Sequence, residues 1–314
     1  MLHRFQVLVI AVAACGLLAE CSRAAADSPS SVSVGSPNDG KLMHGRTLPP
    51  SGPGFMQNPN RPNSTAGYGT DELIQAIGNA AAEVHQQHPG AQLMINDISL
   101  PDGGPIRRHG SHQSGRDADV LFYLLDSRGQ SMPSKGVPLD RRGRGWDFKE
   151  LLDPRDDVAV RLDAPRTWAF VRALVQQPES SLQRIFVVEH VRELLLQQGR
   201  QARAPRRLIQ RAGDVMCQPA VAHDDHLHLR FFCSAQDIGR GCLDTAPVYP
   251  WWREQLRAAG TAAVLAPFKR RPSQTVSRQQ ARLAAGPMHA KVQAFLALQD
   301  TWASKPSPGR RWCP

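Results

Sequence analysis

Apolar positions keep helical or strand-like periods through the middle of the chain and thin out on either side of it. From Thr70, "TDELIQAIGNAAAEVHQQHPG" places Leu73, Ile74, Ile77, Ala81 and Val84 at helical spacing behind a threonine cap and ends in Pro-Gly. That pattern predicts an amphipathic helix. "QLMINDISL" at 92–100 and "DVLFYLL" at 119–125 predict strands, and "QRIFVVE" at 183–189 predicts a buried one. "RTWAFVRALVQQ" at 166–177 predicts a helix, "VRELLLQQ" and "RRLIQRAG" shorter helical pieces, and "HLHLRFFC" at 226–233 a further strand. Strands separated unevenly by helices and long loops indicate an α+β domain with a small, mainly antiparallel sheet. Residues 27–66 are rich in Ser, Pro, Gly and Asn and predict a flexible arm. The folded domain is expected over 67–250. Residues 251–314, with short helices such as "MHAKVQAFLALQDTWA", are expected to form a basic helical tail.

Charge adds a partner. The chain has 38 Lys and Arg against 28 Asp and Glu, a formal charge of +10, which suits an acidic polymer or surface. "MLHRFQVLVIAVAACGLLAE" is a short basic start followed by an apolar run too brief for a membrane span, and "AAAD" at 24–27 offers small residues for cleavage. Residues 1–26 therefore read as an export signal, with a mature chain from Asp27 in the periplasm and no membrane span remaining. Removing Arg4 and Arg23 against Glu20 leaves a charge of +9. In that compartment peptidoglycan, and not nucleic acid, is the acidic partner. The competing reading is a lipoprotein acylated at Cys15 or Cys21, which the short run before Cys15 and Glu20 beside Cys21 disfavour. Cys217, Cys233, Cys242 and Cys313 remain, an even set that suits two disulfides in one of three connectivities. Cys233 and Cys242 flank a polar turn and are the first choice, which leaves Cys217 with Cys313.

Two segments concentrate the chemistry. "HGSHQSGRDAD" at 109–119 crowds polar groups at the mouth of an apolar strand, where each one buried without a partner costs roughly 1–3 kcal/mol. Gly115 lies between His112 and Asp119 and lets the backbone turn closely past a bound group. A strand from Asp117 places Asp117, Asp119, Leu121 and Tyr123 on one face. In "HDDHLHLR" at 223–230, His226 and His228 project from one face with Arg230 next along it. Such a cluster of histidines is hard to leave as solvated surface, because protonated imidazoles repel. Zinc answers both puzzles: His112, Asp119 and His228 supply two imidazoles and a carboxylate and leave one tetrahedral position open, as catalytic zinc sites do. The cysteines sit away from these segments and have disulfides to form. With no Glu in either segment, the base falls to His226, assisted by His223 or His109, with Asp224 or Asp225 orienting an imidazole. The plainer readings are that Asp117 caps a turn, His109 only lines the cleft and Arg230 is a strand-face residue. His3, His44, His85, His88, His190 and His289 have no motif around them and read as surface or packing residues, while Trp146 sits in a loop placed to rim the groove.

"SHQSGRDAD" fits the HxxGxxxD pattern, and "HLH" the HxH pattern, of zinc peptidases that include lysostaphin-type enzymes, D-Ala-D-Ala dipeptidases and the hedgehog signalling domain. With "RTLP" at 46, "YGTDELI" at 68, "GGPIRRHGSHQSGRDADV" at 103, "RIFV" at 184 and "HDDHLHLRFFC" at 223, the chain resembles penicillin-insensitive murein endopeptidases over roughly residues 45–245. The resemblance implies a periplasmic zinc endopeptidase that cuts peptide cross-links in peptidoglycan, chiefly D-alanyl to meso-diaminopimelyl bonds. It implies His112, Asp119 and His228 as zinc ligands and His109, His223 and His226 as additional active-site histidines. Only Cys233 and Cys242 look equivalent to one of that family's bridges, and nothing past Trp252 resembles it.

Two alternatives stand beside that reading. One is a zinc D,D-carboxypeptidase or dipeptidase, and the other is a zinc-bearing wall-binding module that does not cleave. A penicillin-sensitive serine site does not fit, because the positions three after Ser111 and Ser114 are Ser114 and Asp117 where an S-x-x-K nucleophile needs lysine.

Overall fold

Thr70 opens the first long helix in the computed structural model, which describes residues 29–177, 181–267, 276–303 and 313. Its Oγ1 accepts from the Leu73 N–H at 3.4 Å, and Asp71 and Glu72 occupy the first turn, where the helix dipole favours negative charge. The helix Asp71–Gln87 buries Leu73, Ile74, Ile77, Ala81 and Val84, the stripe its spacing predicts. It packs against the helix Ala164–Gln176, and Glu189–Gln201 and Arg206–Val215 pack against the latter. The expected export signal, with Cys15 and Cys21, lies outside the described residues.

The main sheet has seven strands in the order Met216–Cys217, Leu182–Phe186, His226–Phe231, Asp117–Leu121, Leu93–Ile95, Phe55–Gln57 and Ser51–Gly52. The first pair and the pair Leu93–Ile95 with Phe55–Gln57 run parallel, and the other pairings are antiparallel. A second sheet joins Ser131–Met132, Leu124–Leu125, Val158–Leu162 and Arg144–Asp147. This is the expected α+β architecture, rich in antiparallel pairs. In the central strands, Ala118, Val120, Leu227 and Leu229 are buried in the core cluster with Ile77, Phe170 and Leu174. The two-residue period then sends Asp117, Asp119, His226, His228 and Arg230 to the opposite face.

Residues 31–66 correct an expectation. Instead of a flexible arm they form the hairpin Val32–Ser36 with Asp39–Met43 and supply the strands Ser51–Gly52 and Phe55–Gln57 to the main sheet. Four of their few apolar side chains, Val32, Leu42, Leu48 and Phe55, are buried, while Met43 stays exposed. Polar residues are tied down by distant partners: Ser33 N–H donates to Asp237 Oδ2 at 3.1 Å, and Arg116 Nε donates to Ser33 Oγ at 3.0 Å. Arg116 also donates to the carbonyls of Phe231 and Leu243 and to Asp244 Oδ1 at 2.8–3.1 Å, so one buried guanidinium staples four segments.

The expected tail is helical over Pro250–Ala258, Arg278–Ala285 and Ala290–Ala303, but it is not set apart from the domain. Trp252, Leu256, Val292 and Trp302 are buried, and the described residues from Ser31 onward belong to one unit. Disulfides join Cys217 to Cys313 and Cys233 to Cys242. The strand expected over 92–100 is shorter, because the chain leaves the ladder after Ile95 and turns Asp97 toward the histidines.

If residues 31–66 belong to the fold, Leu42→Ala should destabilise the protein by about 2–5 kcal/mol in urea unfolding, the usual range for a buried leucine. A change below about 0.5 kcal/mol, typical of exposed positions, would restore the arm reading.

Candidate metal centre

Strand register sets the centre. His228 pairs with Asp119, Arg230 with Asp117 and His226 with Leu121 across the two central strands. The HxxGxxxD segment reaches that face through two left-handed residues, His112 at φ 68° and Gly115 at φ 74°. Gly115 is required twice over, since a Cβ there would meet Leu42 Cδ1 at 2.6 Å. His112 is not glycine and holds its conformation against strain, as residues at functional sites often do. Two contacts hold it: its N–H donates to Asp117 Oδ2 at 3.3 Å, and its Nδ1–H donates to the Ile98 carbonyl at 2.7 Å. That second bond leaves Nε2 as the free nitrogen facing inward.

Three imidazoles converge on one carboxylate oxygen. Asp119 Oδ1 lies 3.4 Å from His112 Nε2, 3.4 Å from His226 Nε2 and 3.3 Å from His228 Nδ1. His109 Nδ1 stands 3.7 Å from the other oxygen. His112 Nε2 and Asp119 Oδ1 are buried and make no hydrogen bond. Facing buried lone pairs of this kind fit a cation, and an imidazole, imidazole and carboxylate set suits zinc or a neighbouring transition metal. His109, His112 and Asp119 offer ligand atoms within 4.8 Å of one another, as do His223, His226 and His228. The structure thus brings together all six residues singled out in the sequence: His109, His112, Asp119, His223, His226 and His228.

A second layer orients these groups. Asp117 takes a two-pronged hydrogen bond from Arg230, at 2.8 and 2.7 Å, and its Oδ2 lies 3.3 Å from His228 Nε2. Asp117 is therefore a buried ion-pair partner as well as an acceptor for the turn at His112, and Arg230 is its anchor. Asp225 Oδ1 contacts His226 Nδ1 at 2.5 Å. Asp97 Oδ2 contacts His109 Nε2 at 3.0 Å and also accepts from Asn63 Nδ2 at 2.6 Å. His223, again left-handed at φ 49°, donates from Nδ1 to the Val221 carbonyl at 2.8 Å. Phe186 forms a wall, its ring centroid 5.1 Å from that of His228, with the Arg230 guanidinium 5.0 Å over it.

Sequence reading missed Asp97, Asn63 and Phe186. A single carboxylate inside the apolar run "QLMINDISL" was the signal available for Asp97. Trp146 does not join the histidines: Lys291 lies 3.1 Å over its ring, and it lines a separate cavity of about 500 Å³ with Arg144, Arg161, Phe295 and Leu298. His190 is a packing residue, hydrogen-bonded to the Leu139 carbonyl at 2.8 Å.

Charges within the centre polarise one another. Burial by itself raises the Asp119 carboxyl, but the His226 and His112 imidazoles outweigh it and hold the group well below its ordinary value. Burial likewise raises Asp117, and Arg230 with His228 holds it well below. Burial disfavours the His226 cation, yet Asp119 and Asp225 together raise its pKa well above the usual value. Burial pushes His223 down to about 3, helped by His226 and His228. It pushes His228 down to about 4 despite Asp117. His228 is therefore neutral, the form in which an imidazole can bind a metal.

A sequence model of the family described as penicillin-insensitive murein endopeptidase matches residues 33–275. A penicillin-insensitive murein endopeptidase of Klebsiella pneumoniae subsp. pneumoniae is 26% identical over 230 residues, covering 70% of this chain and 73% of its own length. One from Haemophilus influenzae is 28% identical over 224 residues, 68% of each chain. Another, from Yersinia pestis bv. Antiqua, is 28% identical over 189 residues, 57% of this chain and 59% of its own. The family match contains every residue of the centre and stops before residue 276.

Breaking the buried pair under the centre should be costly. Asp117→Ala leaves Arg230 buried without its counter-charge and should lose about 3–5 kcal/mol of stability. Replacing both by apolar residues, Asp117→Leu with Arg230→Met, should recover most of it in urea unfolding. A single variant with near-normal stability would remove Asp117 from the support of His228.

Proposed function

The chain belongs to the penicillin-insensitive murein endopeptidase family, and from that premise we propose that it is a zinc endopeptidase hydrolysing peptide cross-links of peptidoglycan, chiefly D-alanyl to meso-diaminopimelyl bonds. The observation that carries the reading is the convergence of His112, His226 and His228 on Asp119 Oδ1 within 3.4 Å. His112 Nε2, Asp119 Oδ1 and His228 Nδ1 would hold the metal. Zinc there supplies a Lewis acid that polarises the scissile carbonyl and brings the pKa of a water toward about 7.

This chain's own residues handle orientation and protons. Asp225 fixes the His226 ring through Nδ1, which leaves Nε2 in the centre. His226 would take the proton from the attacking water at Nε2 and return it to the departing amine once a bound cation offsets the Asp119 charge that otherwise favours protonated His226. His223, held neutral and oriented through Val221, lies with its ring 4.9 Å from that of His226 and lines the same face. His109, gripped by Asp97, stands across Asp119 from them. Asp117 and Arg230 keep His228 in its orientation from behind.

The two disulfides support an oxidising compartment, in keeping with an export signal over 1–26 and a periplasmic mature chain from Asp27. Among the described residues no helix is long and apolar enough to cross a membrane.

Chelation should abolish cleavage of purified sacculi and zinc should restore it, while His112→Ala and His228→Ala should lose bound metal by elemental analysis. Full activity without metal overturns the centre. His226→Ala should retain zinc and lose on the order of 10²–10⁴ in rate, and near-normal turnover would move the base to His223 or His109. Conversion of cross-linked dimers to monomers is the expected product pattern, whereas release of free D-Ala would favour a carboxypeptidase. Cleavage should continue in penicillin, since no serine acyl-enzyme forms, and covalent labelling by a fluorescent penicillin with loss of activity would sink the mechanism.

A further inference from the structure

The loop from Gln218 to His226 carries His223, Asp225 and His226, yet its strongest anchor comes from the far end of the chain. Trp302, fully buried, donates from Nε1 to Asp224 Oδ2 at 2.8 Å. Gln299 Nε2 donates to the same oxygen at 2.9 Å. These two residues are three apart on the helix Ala290–Ala303 and so share one face. The Trp302 carbonyl in turn accepts from Gln218 Nε2 at 3.1 Å, where the loop begins. Beyond the helix, Cys313 N–H donates to the Gln218 carbonyl at 3.0 Å, and its sulfur is bonded to Cys217. One chain end therefore grips both Gln218 and Asp224.

We propose that Trp302 and Gln299, locked in place by the Cys217–Cys313 disulfide, are positioning residues for the catalytic loop, acting through Asp224. The proposal rests on the reading above that His223 and His226 work at the centre. Asp224 is flanked by the two groups that matter most: left-handed His223 on one side and Asp225, in contact with His226 Nδ1, on the other. Its own carbonyl accepts from Leu139 N–H at 2.8 Å, so its side chain and backbone are fixed by different segments. Rotation of this residue displaces both neighbours, and displacements near 1 Å cost about 10²-fold in rate. A helix serving only as cover would bury apolar area. This one aims two N–H donors at a single carboxylate oxygen. The family match ends at residue 275, so the brace lies in a part of the chain that the family pattern does not include.

The test uses the full zinc-loaded chain with Trp302→Phe and Gln299→Leu combined, which keeps an aromatic ring and most of the buried volume and removes both donors. Hydrogen exchange is read on residues 219–225 without substrate, and kcat and KM are read on a soluble cross-linked muropeptide dimer. Exchange in the loop should rise at least about tenfold, with the strand Asp117–Leu121 still protected. Zinc content and KM should hold, and kcat should fall between about 10- and 100-fold. Should the double variant fail to fold, Cys313→Ser removes the covalent tie to buried Cys217 while leaving Trp302, Gln299 and Asp224 unchanged, and should show the same changes in smaller measure. Loop exchange that stays slow, or fast exchange with kcat intact, overturns the proposal. Because the exchange measurement needs no substrate, loop amides that stay protected count against the brace even if the murein reading fails.

Discussion

Antiparallel register between Asp117–Leu121 and His226–Phe231 is the constraint on which the molecule turns. A slip of one residue would swing Asp117, Asp119, His226, His228 and Arg230 into the apolar core and bring Ala118, Val120, Leu227 and Leu229 to the polar face. Two devices forbid it. The apolar set is matched to the helices beneath, and the forked Arg230–Asp117 pair closes only in the observed alignment.

So much buried polarity is tolerable because nearly every group has its counterpart. Asp97 meets His109, Asp225 meets His226, and Asp117 meets Arg230 and His228. At the middle the pairing stops: His112 Nε2 and Asp119 Oδ1 are buried without hydrogen bonds, as is His228 Nε2 beside them. Proteins leave few such atoms, and those that remain are commonly functional. What makes the His112–Asp119 pair informative is that the two atoms face each other at 3.4 Å.

Local patterns were legible wherever one element decided its own fate. The cap at Thr70, the helical stripe behind it and the two-residue period of "HLH" all survive in the structure, and so do the six clustered site residues. Residues 31–66 were illegible for a physical reason: their order comes from partners such as Asp237 and Arg116, remote in sequence, and not from local periodicity. Asp97 was hidden inside a run that reads as strand, since its role depends on where His109 arrives. Trp302 and Gln299 looked like ordinary helix positions, because nothing around them in sequence mentions Asp224. Composition described the end segment as basic and helical, but it could not say that Trp302 and Gln299 would reach Asp224.

The Arg230–Asp117 pair joins residues 113 apart in sequence, and Arg116 reaches Asp244 across 128. Contacts of such separation require large loops to close before any stabilisation is returned, which slows folding and makes it strongly cooperative. The paired strands cannot align until His226–Phe231 has been made, so no fragment ending before it brings His112 and Asp119 together with His226 and His228. A nascent polypeptide not yet extended past that strand lacks the assembled cluster, which comes into being late, as a property of the completed topology.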